Sequence, residues 1–220
     1  MSFNIAIDGP AGAGKSSIAK RVARELSFVY VDTGAMYRTM ALYFLRNKID
    51  LQDEESICLN CDAIRIELKY DNGEQQIYLN GENVSKEIRK EEVGKSASIV
   101  AKYMPVRQKL VELQRSLAQT TNIIMDGRDI GTVVLPNANV KIYLTASSAV
   151  RAKRRYLELQ EKGIACNLAQ IEEDIIARDK QDMNRDVSPL KQADDAILLD
   201  TSDMSINEVV SSIKNMVRGA

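Results

Sequence analysis

One stretch near the N-terminus has the residue types and spacing to hold a chain of phosphates: Gly9-Pro10-Ala11-Gly12-Ala13-Gly14-Lys15-Ser16, with Ser17 next. It fits G-x-x-x-x-G-K-[ST], between an apolar run, Phe3 to Asp8, and a helix-competent segment, Ser17 to Leu26. Gly9, Gly12 and Gly14 open backbone conformations closed to other residues, so main-chain N–H groups can form an anion nest at a helix N-terminus. Lys15 would bring a mobile charge to the β- and γ-phosphates, and the Ser16 hydroxyl suits Mg²⁺.

Three further groups could complete such a site. Asp126-Gly127-Arg128-Asp129 follows the apolar run Ile123-Ile124-Met125. An acid at the end of a buried strand can hold Mg²⁺ directly or through water, which makes Asp126 the second metal candidate. Thr33-Gly34-Ala35-Met36-Tyr37-Arg38 follows a second β-rich run, Phe28 to Asp32. In the basic region from Arg151 to Arg185, Arg151, Arg154 and Arg155 share one helical face, and Arg178, Asp182 and Arg185 fall at i, i+4 and i+7 on another.

Electrostatics explains why so many guanidinium groups would follow a phosphate loop. Bringing ATP and a nucleoside monophosphate together packs roughly six negative charges into one crevice. Two unit charges 4 Å apart repel by about 4 kcal/mol at an effective dielectric near 20. Mg²⁺ and Lys15 do not neutralise that load alone. Arginine forks match phosphate oxygens bidentately, and one placed at the transition state is worth about 10³–10⁵ in rate. A phosphate acceptor is already deprotonated near neutral pH, so no histidine base is required.

Composition agrees. The chain has 220 residues and no histidine, which removes imidazole as base or metal ligand. Thirty Lys+Arg against 31 Asp+Glu leave a net charge of −1, so no global field recruits nucleic acid. Cys58, Cys61 and Cys166 are too few for a disulfide framework and read as half-buried free thiols. With no signal segment or membrane-length apolar run, a cytoplasmic location is expected, with no membrane association and no obligate protein partner evident.

The elements that must position these groups alternate. Buried strands are expected at 3–8, 28–32, 123–126, 140–144 and 196–199, and helices at 17–26, 35–46, 53–62, 91–103 and 106–119, with a basic helical region at 151–185. Ile64, Ile66, Leu68 and Tyr70 alternate with charged residues up to Asp71-Asn72-Gly73, a hairpin signal. A return strand, Gln75 to Leu79, leads to the tight turn Asn80-Gly81. The fold class is therefore α/β: a doubly wound parallel sheet with helices on both faces and a small antiparallel insert at about 64–88. Its ligand crevice lies at the carboxyl ends of the strands.

Taken together, Gly9 to Ser17, Asp32 to Arg38, Asp126 to Val134, Arg178-Asp179 and Asp182 to Arg185 resemble the bacterial cytidylate kinases, nearly end to end. The resemblance implies a single P-loop kinase domain. Its core would be about 1–34, 120–147 and 190–220, its monophosphate-binding region about 35–119 including the insert, and its helical lid about 150–185. The implied reaction is transfer of the ATP γ-phosphoryl to CMP or dCMP with Mg²⁺. By similarity, Thr33, Ser98, Arg107 and Asp129 would read cytosine, and Arg38, Arg128 and Arg185 would hold the acceptor phosphate. Arg178 and Asp182 would meet the sugar or the transferring group, with Tyr37 packed nearby. Arg151, Arg154 and Arg155 would close over ATP. Lys15, Arg128, Arg178, Arg185 and Asp126 are thus the expected catalytic set. Many relatives carry Lys-Gly-Thr where this chain has Lys15-Ser16-Ser17; the Ser16 hydroxyl still suits the metal. Read from the residues alone, two alternatives stay open. One is a phosphate-loop kinase of another monophosphate or of a small hydroxyl metabolite, with Asp32 or Asp129 as base. The other is a nucleotide-dependent switch or binding module.

Overall fold

The computed structural model describes residues 2–71 and 73–220, so Asn72 at the expected hairpin tip lies outside the described residues. Five parallel strands form the main sheet: β1 (Asn4–Asp8), β2 (Val29–Asp32), β6 (Ile123–Gly127), β7 (Val140–Thr145) and β8 (Ile197–Asp200), in the order β2-β6-β1-β7-β8. Non-alternating apolar residues bury both faces of the inner strands. Ile5, Ile7, Tyr30, Ile124 and Ile142 pack on one face beneath α1 (Lys15–Leu26) and α8 (Ile206–Arg218). On the other face Ala6, Val31, Ile123 and Met125 meet α2 (Thr33–Arg46) and α5 (Met104–Thr120).

The insert is a three-stranded antiparallel sheet, β3 (Ile66–Asp71), β4 (Glu74–Leu79) and β5 (Glu82–Asn83), one short strand more than the alternation implied. Asn80 and Gly81, at φ 49° and 88°, make the second turn. Ile66, Ile77 and Leu79 belong to the same buried cluster as Met36, Met40 and Phe44 of α2, so the insert shares the core. Its free side also covers the outer edge of β2: Tyr70 Oη donates to the Tyr30 carbonyl at 3.0 Å, and the Asp32 N–H donates to Gln75 Oε1 at 2.8 Å. These side chains satisfy main-chain groups that an open edge strand would leave bare.

The elements differ from expectation at several ends. Helix α2 starts at Thr33, not Ala35, because the Asp32 carboxylate accepts the Ala35 N–H at 2.8 Å and caps the helix there. Pro105 does not precede its helix but sits in the first turn of α5, where its missing N–H costs nothing. Strand β8 is an edge strand rather than a buried one, with Ile197 and Leu198 exposed. The basic region divides into α6 (Ser148–Glu161) and α7 (Leu168–Asn184). Helices α3 (Glu54–Cys61) and α4 (Glu91–Val100) complete the set; all three cysteines are free. No helix among the described residues is long and apolar enough to cross a membrane.

The turn after β1 tolerates no side chain at its first position. Gly9 has φ 148°, and a Cβ there would lie 2.0 Å from the carbonyl oxygen of Leu144 in β7. That oxygen sits in a strand hydrogen-bonded on both sides, so it has nowhere to go. Gly9→Ala is expected to cost about 3 kcal/mol or more, measured by urea denaturation.

Candidate active site

The parallel register brings the strand-end acids together. Asp32 pairs with Asp126 across β2 and β6, and Ile7 and Asp8 pair with Asp126 and Gly127 across β1 and β6. Above this edge opens a cleft of about 920 Å³. Ala11 to Ser17, Thr33, Tyr37, Arg38, Ser98, Arg107, Asp126, Arg128, Asp129, Arg151, Arg154, Arg155, Arg178, Asp182 and Arg185 all line it. Gly9 and Pro10 do not; they shape the loop from below.

At the loop end, Lys15 is buried and its Nζ donates to the Pro10 carbonyl at 2.8 Å. Burial first, and then the Arg128 charge, pull its ammonium down to about 7. The Ser16 hydroxyl donates to Asp126 Oδ2 at 2.7 Å. Asp126 is itself buried, and desolvation, followed by the charge of Asp32, pushes its carboxyl up. Both groups are shifted first by burial, each toward its neutral form. A hydroxyl and a carboxylate in contact are the hard oxygen donors that Mg²⁺ prefers, and Mg²⁺ is commonly held by one or two such groups plus phosphate oxygens.

The rest of the cleft is built from ion pairs. Asp129 is buried between Arg107, which binds Oδ2 directly, and Arg185, 3.9 Å from Oδ1. Arg107 also lies against the Tyr37 ring, 5.8 Å from its centroid. Arg38 and Arg89 both meet Asp32 Oδ2 at 3.1 Å. Arg128 donates to Asp182 Oδ2 at 2.7 Å. Two guanidinium nitrogens, Arg38 Nε and Arg185 Nη2, are buried without any hydrogen-bond partner among the described residues. Both side chains line the cleft, and unsatisfied cationic donors in its wall fit an anion. Burial lowers the basicity of both groups.

The structure gives several of the expected site residues partners within the chain and moves one off its helix. Arg185 is not on the helical face of Arg178 and Asp182. It is the residue after α7, at φ −70° and ψ 142°, and its Nε donates to the Ser188 carbonyl at 2.5 Å. Arg151 is buried and grips the loop: its guanidinium donates to Ala11 O at 2.9 Å, Ala146 O at 2.8 Å and Asp179 Oδ2 at 2.6 Å. Arg154 donates to the Thr201 carbonyl at 2.7 Å, and Arg155 pairs with Glu158. Thr33 spends its hydroxyl on the Asp126 carbonyl at 2.7 Å. The exposed Arg178 makes no ion pair among the described residues. Asp32, weighed above as a base, lines the cleft as well, and so do Arg89, Thr201, Met204, Ser205 and Ile206, which were not expected there. Only the acid ending the second strand, Asp32, left a trace in the sequence. Because arginines and the helix N-terminus occupy both Asp32 oxygens, it is a poor general base.

A family model described as Cytidylate kinase matches residues 5–219. The chain belongs to the cytidylate kinase family. It is 51% identical to the cytidylate kinase of Lactobacillus johnsonii over 216 residues, covering 98% of this chain and 94% of that one. It is also 51% identical to the cytidylate kinase of Bacillus cereus over 217 residues, 99% and 96% of the two chains. Among solved structures it is similar to an uncharacterized protein from Eubacterium ventriosum, with TM-score 0.53 at 10% identity over 100% of both chains. A gluconokinase from Sinorhizobium meliloti gives TM-score 0.50 at 11% identity, over 99% and 93%. Those two likenesses concern the fold alone.

One anchor of the enzyme's cleft lies beneath it. Asp8 accepts the N–H groups of Ile130 and Gly131 at 2.8 and 2.7 Å, fixing the turn that follows Arg128 and Asp129. Burial outweighs these bonds and lifts its carboxyl from 3.8 to about 6. Between those values the folded state holds a proton that the unfolded chain has released. Stability from this group is therefore full below pH 4 and lost as pH rises through 6, by about 3 kcal/mol. Urea denaturation of wild type and Asp8→Asn across pH 4–7 should show wild type losing about that much relative to the variant as pH rises.

Proposed function

We propose that this kinase transfers the γ-phosphoryl of ATP to CMP or dCMP, with the phosphate loop at the donor end and the ring of paired arginines at the acceptor end. The observation that carries the reading is the buried Asp129, set between Arg107 and Arg185 and opposite the loop. Cytosine offers an N4 amino donor and N3 and O2 acceptors; a carboxylate takes the first and a guanidinium serves the others. Uracil presents an acceptor at position 4, so the carboxylate would meet an oxygen in place of an amino donor, which costs about 1–3 kcal/mol.

In this mechanism the chain supplies placement and charge. Arg38 and Arg185, each with an unpartnered nitrogen, hold the acceptor phosphate together with Arg128. Lys15 and the loop N–H groups hold the donor. Arg178, free at the rim, joins the transferring group, and Asp182 steers Arg128. Ser98 and Tyr37 line the base and ribose end. Ser16 and Asp126 would hold Mg²⁺, which when bound would neutralise phosphate charge. The attacking group is a phosphate oxygen, so no residue needs to remove a proton. Arg154 and Arg155 face the donor nucleotide, and Arg151 acts on it through Ala11. The partners are nucleotides, and nothing in the charge balance calls for nucleic acid.

A coupled ADP-release assay across CMP, dCMP, UMP, AMP and small alcohols tests the assignment. Preference for CMP and dCMP is expected, and preference for any other acceptor rejects it. ATP hydrolysis indifferent to added monophosphate would favour a switch instead. Asp129→Ala should narrow the CMP-over-UMP ratio in kcat/KM by about 5- to 150-fold, with ATP affinity little changed. Lys15→Ala should lower kcat by at least about 100-fold while circular dichroism shows a folded chain.

A further inference from the structure

Asp126 has two carboxylate oxygens, and the reading of Ser16 and Asp126 as the metal site uses only one. Oδ2 takes the Ser16 hydroxyl hydrogen, which leaves the Ser16 lone pairs directed away from Asp126. The other oxygen, Oδ1, accepts a hydrogen bond from the phenol of Tyr30 at 2.8 Å. Tyr30 lies on the neighbouring strand β2, two residues before Asp32, which stands opposite Asp126. Side chains alternate across a strand, so Tyr30 and Asp126 share the face that packs beneath α1. The ring is buried there, with the ammonium of Lys20 of α1 5.8 Å from its centroid.

The position of this tyrosine is overdetermined. Its main chain is paired to β6 on one side. On the other side its carbonyl accepts the Tyr70 hydroxyl from the insert at 3.0 Å. In this contact the phenol O–H is the donor, since a carboxylate oxygen only accepts. A buried carboxylate with one oxygen unsatisfied would rotate or recruit a proton donor. The phenol removes that freedom and leaves Oδ2 as the oxygen presented to the loop.

We propose that Tyr30 is a positioning residue for the metal end of the site, fixing the Asp126 carboxylate through Oδ1 so that Oδ2 and the Ser16 hydroxyl are presented together to the nucleotide-bound cation. This rests on the reading of Asp126 and Ser16 as the metal-holding pair. Its consequence is a residue that touches neither substrate nor metal yet tunes how much Mg²⁺ strengthens ATP binding.

Tyr30→Phe keeps the ring and its packing and removes the single O–H. Isothermal titration calorimetry of ATP, with Mg²⁺ and with EDTA, measures the metal increment directly and without turnover. Expected for the variant are a metal-free ATP affinity within twofold of wild type, an increment about five- to tenfold smaller, and a kcat lowered by a similar factor. The KM for CMP should stay within twofold, a split that general loosening of the fold would not produce. An increment equal to that of wild type would overturn the role of Tyr30, whatever happens to kcat or Tm. A wild-type enzyme whose ATP affinity ignores Mg²⁺ would instead overturn the metal site, and Tyr30 with it.

Discussion

Everything at the carboxyl edge of the sheet answers to one constraint: a cleft made to receive two polyanions must also be stable when it holds none. Guanidinium groups in a half-buried crevice repel one another and lose hydration. The chain meets the problem by giving most of them a carboxylate as a resident counter-ion. Asp32 holds Arg38 and Arg89, Asp129 holds Arg107, Asp182 holds Arg128, and Asp179 holds Arg151. These acids fix the forks in place before ligand arrives, so little side-chain freedom is lost on binding. Two donors, Arg38 Nε and Arg185 Nη2, stay without a hydrogen-bond partner among the described residues.

The same constraint accounts for the perturbed groups. Lys15, Asp126 and Asp8 are all shifted chiefly by desolvation, each toward its neutral form. For Lys15 and Asp126 a phosphate chain with its cation would restore the missing charge. Asp8 faces main-chain N–H groups instead and serves the turn that carries Asp129. Burial alone therefore does not mark a group as reactive; what it faces does.

One buried anchor ties the donor loop to distant elements. The Arg151–Asp179 pair holds both the carbonyl and the N–H of Ala11, coupling the loop to α6 and α7. The insert reaches the opposite side of the site through Tyr70 and Gln75, which finish the open edge of β2. An insert that could have been a separate module is instead a strut along the edge of β2.

Local chemistry by itself determined much of this protein. The glycine-lysine-serine pattern, the apolar strands and the Asp126-Gly127-Arg128-Asp129 run each depend on short-range backbone needs, so the P-loop fold, the family and most cleft residues were legible. Helix phase also put Arg178 and Asp182 one turn apart. Partner choice was not legible, because it depends on register between strands far apart in the chain. Arg151 and Arg155 are both basic residues on one helix, yet one is buried against the loop and the other pairs with a neighbour in solvent. Arg185 follows the helical spacing but lies past the helix end, where the backbone turns it toward Asp129. Tyr30 looked like any strand aromatic until β2 was laid beside β6. Which charges neutralise one another is set by through-space distance and burial, and only the tertiary structure decides those.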